Sequence, residues 1–214
     1  MFPFPFSFVA PTSTGIGTVD NVYSMEFDGL DDYISITSSG TLDTFHQNPF
    51  SISFWFKTTT GGSKIFTEKA TSTSSASRAF YIYISSGAIL WYGATASPSY
   101  TNGASYNDGN WHHVACVAES DTVARIYVDG VDDTNNIAKD RIGTSGVTAP
   151  IILGTTYNQS GSYFYSGLMD EFAVFNYALD SGQVQEIYDA TSTGVTADLD
   201  TLSTPPVAWY RMGD

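Results

Sequence analysis

The chain has 214 residues, of which 22 are acidic and 8 are basic, so its formal net charge at pH 7 is −14. Such a charge repels phosphate backbones and anionic membrane surfaces, which argues against nucleic acid as a partner, and it suits divalent cations. Charged residues make up only 14% of the chain and aromatic residues 15%, which favours one ordered, soluble domain with tails; without a long apolar run we expect no membrane insertion.

The first eleven residues, MFPFPFSFVAP, place four phenylalanines between prolines. Proline fixes φ and lacks an amide donor, so we expect an extended arm here rather than a helix, and the interrupted apolar run without Lys or Arg argues against a signal peptide. The phenylalanines recur with period two and share one side of an extended chain: Phe2, Phe4, Phe6 and Phe8. The arm and a polar linker occupy residues 1–20, and the arm either lies across the domain's own core edge or anchors the protein to a partner subunit.

Short runs rich in Ile, Val, Phe, Tyr and Trp follow, separated by clusters of turn-forming residues. In FSISFWFK, at 50–57, Ile52, Phe54 and Phe56 point one way and the residues between them point the other, so one face of this strand belongs to a core. The other predicted strands are 22–28, 32–36, 63–69, 79–84, 88–93, 111–118, 124–130, 150–154, 162–167 and 169–176. So many strands favour two packed antiparallel sheets over one flat sheet. The single cysteine, Cys116, excludes an intramolecular disulfide, and its apolar strand predicts a buried thiol.

Turn and cap residues mark several boundaries between these elements. Asp28-Gly29 and Asp129-Gly130 end two of the runs and are typical of tight turns between strands, because glycine supplies a positive φ. Asp180 and Gln183 form a capping-box pattern before an apolar stripe, which predicts one short helix at 181–189. Residues 191–214 are then a linker and an aromatic tail, and the tail is either one more strand or a docking segment.

Six segments resemble, in the same order, the laminin G-like domains of the concanavalin A-like lectin/glucanase superfamily. They are EFDGLDDYISI, SISFWFK, NWHHVACV, ARIYVDG, IILG and YSGLMDEFAVFNYALDSGQVQEIY. The resemblance implies an all-β, two-sheet antiparallel jelly-roll sandwich over residues 21–190, with one short C-terminal helix, extended terminal arms, and its first and last strands close together. The C-terminal segments also resemble laminin G-like proteins common in marine bacteriophage genomes. Because this fold hosts binders, structural modules and glycosidases, function has to be argued from a site.

Glycosidases of the resembling superfamily carry carboxylates at alternate positions of one strand, so Glu26 and Asp28 form a candidate pair. The third acid of the glucanase pattern is replaced here by a turn sequence, and the motif is broken. His112 and His113 are adjacent in a strand and point to opposite faces, so they do not serve one catalytic or metal site. We therefore expect a protein without enzymatic activity.

Calcium is the cofactor that the resemblance implies, because the superfamily often binds it at a sandwich edge through Asp side chains and backbone carbonyls. The candidate ligands are Asp28, Asp31 and Asp32 in one turn and Asp170 and Glu171 near the last strand, which converge if the first and last strands are neighbours. In the alternative interpretation, Asp28 and Asp170 accept backbone hydrogen bonds that close turns, and no ion is bound.

Two loops, 93–110 and 155–163, mix tyrosine with amide side chains, which is the composition of a carbohydrate-binding rim. Tyrosine is also enriched at protein–protein interfaces, so contact with a neighbouring subunit is the alternative. The candidate residues are Tyr100, Asn102, Tyr106, Tyr157, Asn158 and Tyr163.

Together these features predict a non-enzymatic structural protein of a virion surface, such as a capsid decoration or fibre component. The terminal arm would join it to a homo-oligomer or to a larger assembly such as a capsid, and the two loops would present a glycan-binding face. The virion part of this expectation comes from the resemblance alone. The alternative is an extracellular carbohydrate-binding adhesion lectin, dependent on Ca²⁺ or not.

Overall fold

Two seven-stranded antiparallel sheets form the body of the structure, a computed structural model that describes residues 15–74, 77–93, 98–103, 105–136, 146–159, 161–191 and 194–213. The predicted Phe-rich arm lies outside the described residues. The strands are β1 (Gly17–Asp20), β2 (Met25–Asp28), β3 (Ile34–Ile36), β4 (Phe50–Lys57), β5 (Lys64–Ala70), β6 (Arg78–Ser85), β7 (Ala88–Tyr92), β8 (Ser99–Thr101), β9 (Trp111–Ser120), β10 (Val123–Val128), β11 (Val131–Asp132), β12 (Thr134–Asn136), β13 (Ile151–Leu153), β14 (Ser166–Phe175), β15 (Val195–Asp198) and β16 (Ala208–Tyr210). The α-helices are α1 (Thr41–Thr44) and α2 (Ser181–Ala190), and 3₁₀ turns cover Phe45–Gln47 and Leu199–Thr201.

The strand order defines a sandwich. The first sheet runs β11-β10-β9-β4-β14-β16, and β2 also pairs with β14, along residues 166–169. The second sheet runs β12-β8-β7-β6-β5-β13-β3, while β1 and β15 form a separate two-stranded ribbon. The predicted two-sheet antiparallel jelly roll is confirmed, with the first and last strands of the domain, β2 and β14, side by side.

The main core lies between the sheets and is built largely from aromatic side chains. β4 places Ile52, Phe54 and Phe56 inward with period two, and all three are fully buried. The ring of Phe54 lies 5.2 Å from that of Phe66 on β5, so the two sheets meet through aromatic contacts. Cys116 is buried in the same core, as its apolar strand predicts. Burial of these large side chains supplies the main stabilisation of the sandwich.

The outer face of the first sheet is also buried, because the C-terminal helix and a terminal strand pack on it. Val184 and Ile187 of α2 and Ala197 of β15 join Val117 of β9 and Phe175 of β14 in a second apolar cluster. Among the described residues, the second sheet has no such covering layer over β6 and β7, whose outward side chains are half-exposed. The two outer faces therefore differ, since one is covered by α2 and β15 and the other is accessible within the part of the chain that the structure describes.

The strongest local patterns predicted their elements well. The strand predicted at 50–57 is β4. The helix predicted at 181–189 is α2, and both hydrogen bonds of the predicted capping box between Asp180 and Gln183 are present. None of the helices in the described ranges has the length and apolarity needed to cross a membrane.

The two Asp-Gly steps differ in what they connect. Asp129-Gly130 joins β10 to β11 with both residues at positive φ, 50° and 80°, which confirms a tight hairpin. Asp28-Gly29 also has its glycine at a positive φ of 83°, but it leads from β2 in the first sheet to β3 in the second. It is therefore a passage between sheets and not a hairpin.

Two segments differ from their predicted form. The strand predicted at 169–176 belongs to β14, which begins at Ser166 and whose register shifts between Asp170 and Ala173 without ending the strand. Of the strand predicted at 162–167, only residues 166 and 167 are in β14, and residues 162–165 are not in a strand. Residues 17–20, predicted as part of a linker, form β1 and pair with β15. The segments on both sides of the predicted 21–190 domain thus contribute strands to the packed structure.

Candidate functional site

A cleft of about 480 Å³ opens on the outer face of the second sheet. It lies over β6 and β7, on the side of the sandwich away from α2. Its lining consists of aromatic and hydroxyl side chains with one charged group: Ser63, Thr73, Arg78, Tyr81, Tyr83, Tyr92 and Tyr163. We call this site the tyrosine cleft.

Strand alternation explains why the tyrosines face the cleft. Ile82 of β6 lies opposite Trp91 of β7, and both are fully buried in the core. Tyr81 and Tyr83 flank Ile82 and therefore point outward, as does Tyr92, which lies opposite Tyr81. One strand pair thus buries its inward residues in the core and presents its tyrosines on the accessible face.

The three strand tyrosines form one aromatic cluster. The ring centroids of Tyr81 and Tyr83 are 4.9 Å apart, and those of Tyr83 and Tyr92 are 6.0 Å apart with planes 15° from parallel. Burial raises the pKa of the Tyr81 and Tyr83 hydroxyls above the usual value, so both stay protonated and can donate hydrogen bonds at neutral pH. Tyr163, which is 45% exposed, adds a fourth ring to the lining.

Arg78 is the only charged residue among the described residues that line the cleft. Its guanidinium carbon lies 5.1 Å from the ring centre of Tyr81 and 5.8 Å from that of Tyr92, within the range of a cation–π contact. Its Nε lies 3.4 Å from Oε1 of Glu68, a β5 residue that is only 2% exposed. The other oxygen, Oε2, accepts a 2.8 Å hydrogen bond from the backbone N–H of Tyr157. Burial raises the pKa of Glu68, and the Tyr157 hydrogen bond and the Arg78 charge oppose this effect.

This arrangement suits a ligand that is apolar on its faces and polar at its edges. The phenol rings offer flat apolar surfaces, and their hydroxyls donate and accept hydrogen bonds. Arg78 adds fixed N–H donors, since two rings and a carboxylate hold its position. A pyranose ring, with C–H groups on its faces and hydroxyls around its rim, has this character.

Three of the residues predicted for glycan binding lie on this side of the sandwich. Tyr163 lines the cleft, and Tyr157 holds the carboxylate that pairs with the cleft arginine. Tyr100 of β8 lies opposite Leu90, and Leu90 lies opposite Tyr83, so Tyr100 and Tyr83 share the outer face two strands apart. Tyr100 is exposed and extends the aromatic surface beyond the cleft.

The other three predicted residues hold loops together. The hydroxyl of Tyr106 donates a 2.8 Å hydrogen bond to Oδ2 of Asp133. The side-chain amide of Asn102 donates to the backbone carbonyl of the same residue at 3.3 Å. Asn158 accepts a 2.8 Å hydrogen bond from the hydroxyl of Thr156. The predicted set is therefore divided between the accessible face and contacts within loops.

Sequence reasoning missed the centre of the cleft: Arg78, Tyr81, Tyr83 and Tyr92. A signal for two of them was present, because the outward positions of AFYIYI are both tyrosine where an exposed strand usually carries smaller polar residues. Tyr92 and Arg78 join them only through the pairing of β6 with β7 and the contacts of the guanidinium, which the linear pattern does not give.

A second cleft, of about 520 Å³, lies between β10 and the start of α2. Its cation, Arg125, donates from Nε to Glu119 at 2.6 Å and from Nη1 to Asp132 at 2.8 Å. Both carboxylates are half-exposed, so the ion pairs are solvated and the arginine is already engaged. This cleft has one tyrosine, Tyr127, where the tyrosine cleft has four.

The acidic turn predicted to bind calcium brings three aspartates together. Carboxylate oxygens of Asp28, Asp31 and Asp32 lie within 4.8 Å of one another, and all three residues are exposed. Oδ1 of Asp28 accepts from the Leu30 backbone N–H at 2.7 Å, and Oδ2 of Asp32 accepts from the Asp28 N–H at 2.9 Å. Such hard oxygens fit Ca²⁺, which also needs several further oxygens, and the turn-closing role of Asp28 is present as well.

Asp170 does not join this turn, contrary to the predicted ligand set. In the pairing of β2 with β14, Asp28 lies opposite Ser166, so Asp170 is four residues further along β14. There it is buried, and its Oδ2 accepts a 3.0 Å hydrogen bond from the side-chain amide of Asn21. Strand register therefore separates it from the acidic turn, although the strands themselves are neighbours.

Glu171, the next residue, is the centre of a buried polar network. Its Oε1 accepts from the amide of Asn21 at 2.7 Å and from the hydroxyl of Thr196 at 2.9 Å, and its Oε2 accepts from the indole N–H of Trp209 at 2.5 Å. Nε of Arg211 lies 3.8 Å from Oε1. Burial raises the pKa of Glu171 against these interactions. The network joins β14 to the segments on both sides of the predicted domain, so its role is structural.

A Ser-His pair occurs in the first sheet, but it is buried. Oγ of Ser53 and Nε2 of His113 are 2.8 Å apart, and both residues lie beneath the covering layer with almost no exposed surface. His112 points to the other face of β9, where its Nδ1 lies 2.8 Å from Oδ2 of Asp129. The two histidines thus face opposite sides, as predicted. Glu26, which was considered for a glycosidase pair, is exposed on β2.

The chain belongs to the concanavalin A-like lectin/glucanases superfamily, because a laminin G family model with that description matches residues 27–185. The match covers nearly all of the sandwich, including both strands of the tyrosine cleft. None of the curated proteins matches the chain in sequence.

Solved structures share the fold at low sequence identity. A Bacteroides ovatus protein to which carbohydrate binding has been ascribed has a TM-score of 0.62 at 12% identity; the match covers 92% of this chain but only 52% of that protein. The CBM40 module of the Ruminococcus gnavus IT-sialidase has a TM-score of 0.61 at 15% identity, with 81% of this chain and 99% of the module covered. The heptameric SAP-like pentraxin of Limulus polyphemus has a TM-score of 0.53 at 15% identity, with 87% and 93% covered. These similarities concern the fold.

Proposed function

We propose that this protein is a non-enzymatic carbohydrate-binding module whose ligand lies in the tyrosine cleft. The observation that carries the proposal is the outward cluster of Tyr81, Tyr83 and Tyr92 with Arg78 fixed over two of the rings. Membership of a lectin-containing superfamily supports it, as does the name of the Ruminococcus gnavus module, a carbohydrate-binding one of the same fold.

The carboxylates near the cleft favour binding over hydrolysis. A glycosidase needs two carboxyl groups on either side of the bond that it cleaves. Glu68 is the carboxylate that contacts a described lining residue, and it is buried and engaged by Arg78 and by the Tyr157 backbone. One engaged carboxylate does not supply an acid and a nucleophile.

A glycan array tests this proposal directly. The full chain is applied to an array of neutral and acidic glycans, once in buffer with Ca²⁺ and once in buffer with chelator. The affinity for each glycan that binds is then measured by calorimetry. We expect saturable binding of at least one oligosaccharide and no release of reducing sugar on long incubation. A blank array under both conditions would contradict carbohydrate binding, and a new reducing end would contradict the non-enzymatic assignment.

We further propose that the module is displayed on a virion surface as a capsid decoration or fibre component, with an extracellular adhesion lectin as the alternative. Two things favour display on an assembly: the resemblance of the C-terminal segments to phage proteins, and an acidic composition that keeps a densely displayed protein soluble. The Limulus pentraxin, described as heptameric, is an example of this fold in an oligomer.

An apolar groove offers a docking surface for the assembly arm in this proposal. It has a volume of about 400 Å³ and lies where β2, β3 and β13 meet the C-terminal strand, lined by Met25, Ile34, Leu153, Trp209, Tyr210, Arg211 and Met212. The proposed occupant is the row of Phe2, Phe4, Phe6 and Phe8 from a second copy of the chain. Light scattering of the full chain should then show a defined oligomer, and a variant lacking residues 2–11 should be a folded monomer. If the full chain and the shortened variant are both monomers, the proposed role of the assembly arm is contradicted.

Calcium is proposed as a structural ion at Asp28, Asp31 and Asp32, without Asp170. These exposed carboxylates would supply part of its oxygen shell and bind it weakly, because few protein ligands are fixed in advance. The melting temperature should be higher in millimolar Ca²⁺ than in chelator, and the substitution Asp31→Asn should remove this difference. An equal melting temperature in both buffers would contradict a calcium site here.

A further inference from the structure

We infer that the tyrosine cleft selects uncharged sugars over carboxylated ones, because Glu68 neutralises the one cation that a sugar carboxylate needs. This inference rests on the proposed carbohydrate-binding function and names the class of ligand for the same site. Glu68 is then a specificity-determining residue, although it lies behind the lining and is not part of it.

The charges around the cleft set this preference. Arg78 is the single cation of the described lining, and its Nε lies 3.4 Å from Oε1 of Glu68. Glu68 is buried on β5, so water screens it weakly and its field reaches the cleft. Arg78 and Glu68 together contribute no net charge, and the chain as a whole carries −14.

The geometry leaves Arg78 partly engaged even before a ligand arrives. Its Nε faces Glu68, and its Nη2 donates a long 3.4 Å hydrogen bond to the backbone carbonyl of Thr73. The guanidinium carbon also lies within cation–π distance of the rings of Tyr81 and Tyr92. The remaining N–H groups can donate to a sugar hydroxyl, and a ligand carboxylate has to share the guanidinium with Glu68 and with the Thr73 carbonyl.

A carboxylated sugar is therefore at a disadvantage in this cleft. Its carboxylate must lose bound water on binding, which costs free energy. Attraction to an arginine can offset this cost, but here the nearby Glu68 opposes the attraction between Arg78 and the ligand carboxylate. Desolvation of a hydroxyl costs less free energy than desolvation of a carboxylate, and one hydrogen-bond donor or acceptor is enough to satisfy it. The phenol hydroxyls of the strand tyrosines provide such partners without regard to ligand charge.

Glu68→Gln isolates the charge from the shape of the side chain. The amide keeps the size of glutamate and one carbonyl oxygen for the backbone N–H of Tyr157. Loss of one unit charge at a few ångströms should raise the affinity for an acidic sugar relative to its neutral partner by about tenfold.

The test uses the full chain and oligosaccharides in matched neutral and carboxylated forms, measured by calorimetry at one ionic strength. The pairs are α2,3-sialyllactose with its carboxamide, and glucuronosylated xylotriose with the carboxamide of its glucuronosyl group, so that the members of a pair differ in charge and not in size. In the wild-type protein we expect the neutral member of a pair to bind more tightly than the acidic member. The substitution Glu68→Gln should reduce or reverse this ratio of neutral to acidic affinity. The double variant Glu68→Gln/Arg78→Gln, which removes the whole ion pair, should show no gain for the acidic member.

Each outcome is decisive. Tighter binding of the acidic member by the wild-type protein overturns the inference and leaves the proposed carbohydrate binding intact. An unchanged ratio in a folded Glu68→Gln variant shows that Glu68 does not set the selectivity, which also overturns it. If no member of any pair binds, both the inference and the proposed function fail. Should Glu68→Gln not fold, the wild-type ratio alone decides the selectivity.

Discussion

Glu171 fixes the attachment of the terminal segments to the sandwich. Its backbone has a φ of 53°, an uncommon left-handed value for a residue other than glycine, where the register of β14 shifts. Its carboxylate accepts hydrogen bonds from Asn21, Thr196 and Trp209, which lie in three separate segments of the chain. A buried carboxylate requires such partners, and these contacts hold the left-handed residue in its conformation.

His113 makes the stability of the protein depend on pH. Its ring is fully buried, with Nε2 2.8 Å from Oγ of Ser53, and burial lowers its pKa to about 4 against an opposing effect of Asp129. The folded state thus keeps the ring neutral while the unfolded chain takes up a proton below its ordinary pKa of about 6.5. This residue's contribution to stability is lost as the pH falls from 6.5 towards 4, by about 2 kcal/mol at pH 4.5. Urea unfolding of the wild type and His113→Gln at pH 7 and 4.5 measures it, and the variant should lose less stability on acidification.

His112 provides the control for that measurement, since its shift has the opposite sign. The hydrogen bond to Asp129 raises its pKa, so its contribution to stability is complete below the unfolded pKa and is lost as the pH rises through the folded one. His112→Gln should therefore lose more stability than the wild type on acidification. Parallel pH profiles for the two variants would contradict the assignment of these environments.

Single residues also show where sequence reasoning stopped. The tyrosine and amide side chains of the 93–110 loop predicted a binding role for Tyr106 and Asn102, but both side chains donate hydrogen bonds to Asp133. The cluster of Tyr81 and Tyr92 depends on which strand pairs with which and in what register, and one sequence does not contain that information. Composition identified the kind of side chain at the site but not its location.

Helix α2 covers the first sheet, and its N-terminal cap stabilises that cover. Oδ1 of Asp180 accepts from the backbone N–H of Gln183 at 2.8 Å, and Oε1 of Gln183 accepts from the Asp180 N–H at 3.0 Å. We expect Asp180→Ala to lower the free energy of unfolding by about 1 kcal/mol, the usual cost of a lost cap. Asp121→Ala, in an exposed turn, removes the same charge without a helix cap and should change stability by less than about 0.5 kcal/mol. Urea unfolding measures both, and equal losses would show that the charge matters and the cap does not.

The helices and strands differ in how well their local sequence patterns predict them. β4 and β6 have strict alternation, and α2 has a capping box, so their type and boundaries were predictable. β1 and β15 are short and polar in sequence, and each becomes a strand only by pairing with the other from opposite ends of the chain. Long-range pairing of this kind leaves no local pattern, which is why residues 17–20 were assigned to a linker.

At the scale of the whole molecule, the two outer faces of the sandwich differ in what covers them. The first sheet is covered by α2 and β15, which bury a second apolar cluster against it. The second sheet presents the tyrosine cleft on its open face, together with Tyr100. The proposed ligand surface is therefore on the uncovered face, and the proposed docking groove lies apart from it, where β2, β3 and β13 meet β16.

The most direct test of the central claim compares two exposed tyrosines in glycan binding. Tyr163 is 45% exposed and lines the cleft, while Tyr23 is 65% exposed between β1 and β2 and does not line it. For an oligosaccharide that binds the wild type in calorimetry, Tyr163→Ala should weaken binding by about tenfold through the loss of an aromatic contact, and Tyr23→Ala should leave it unchanged. If both folded variants bind like the wild type, or if Tyr23→Ala alone loses binding, the tyrosine cleft is not the carbohydrate site.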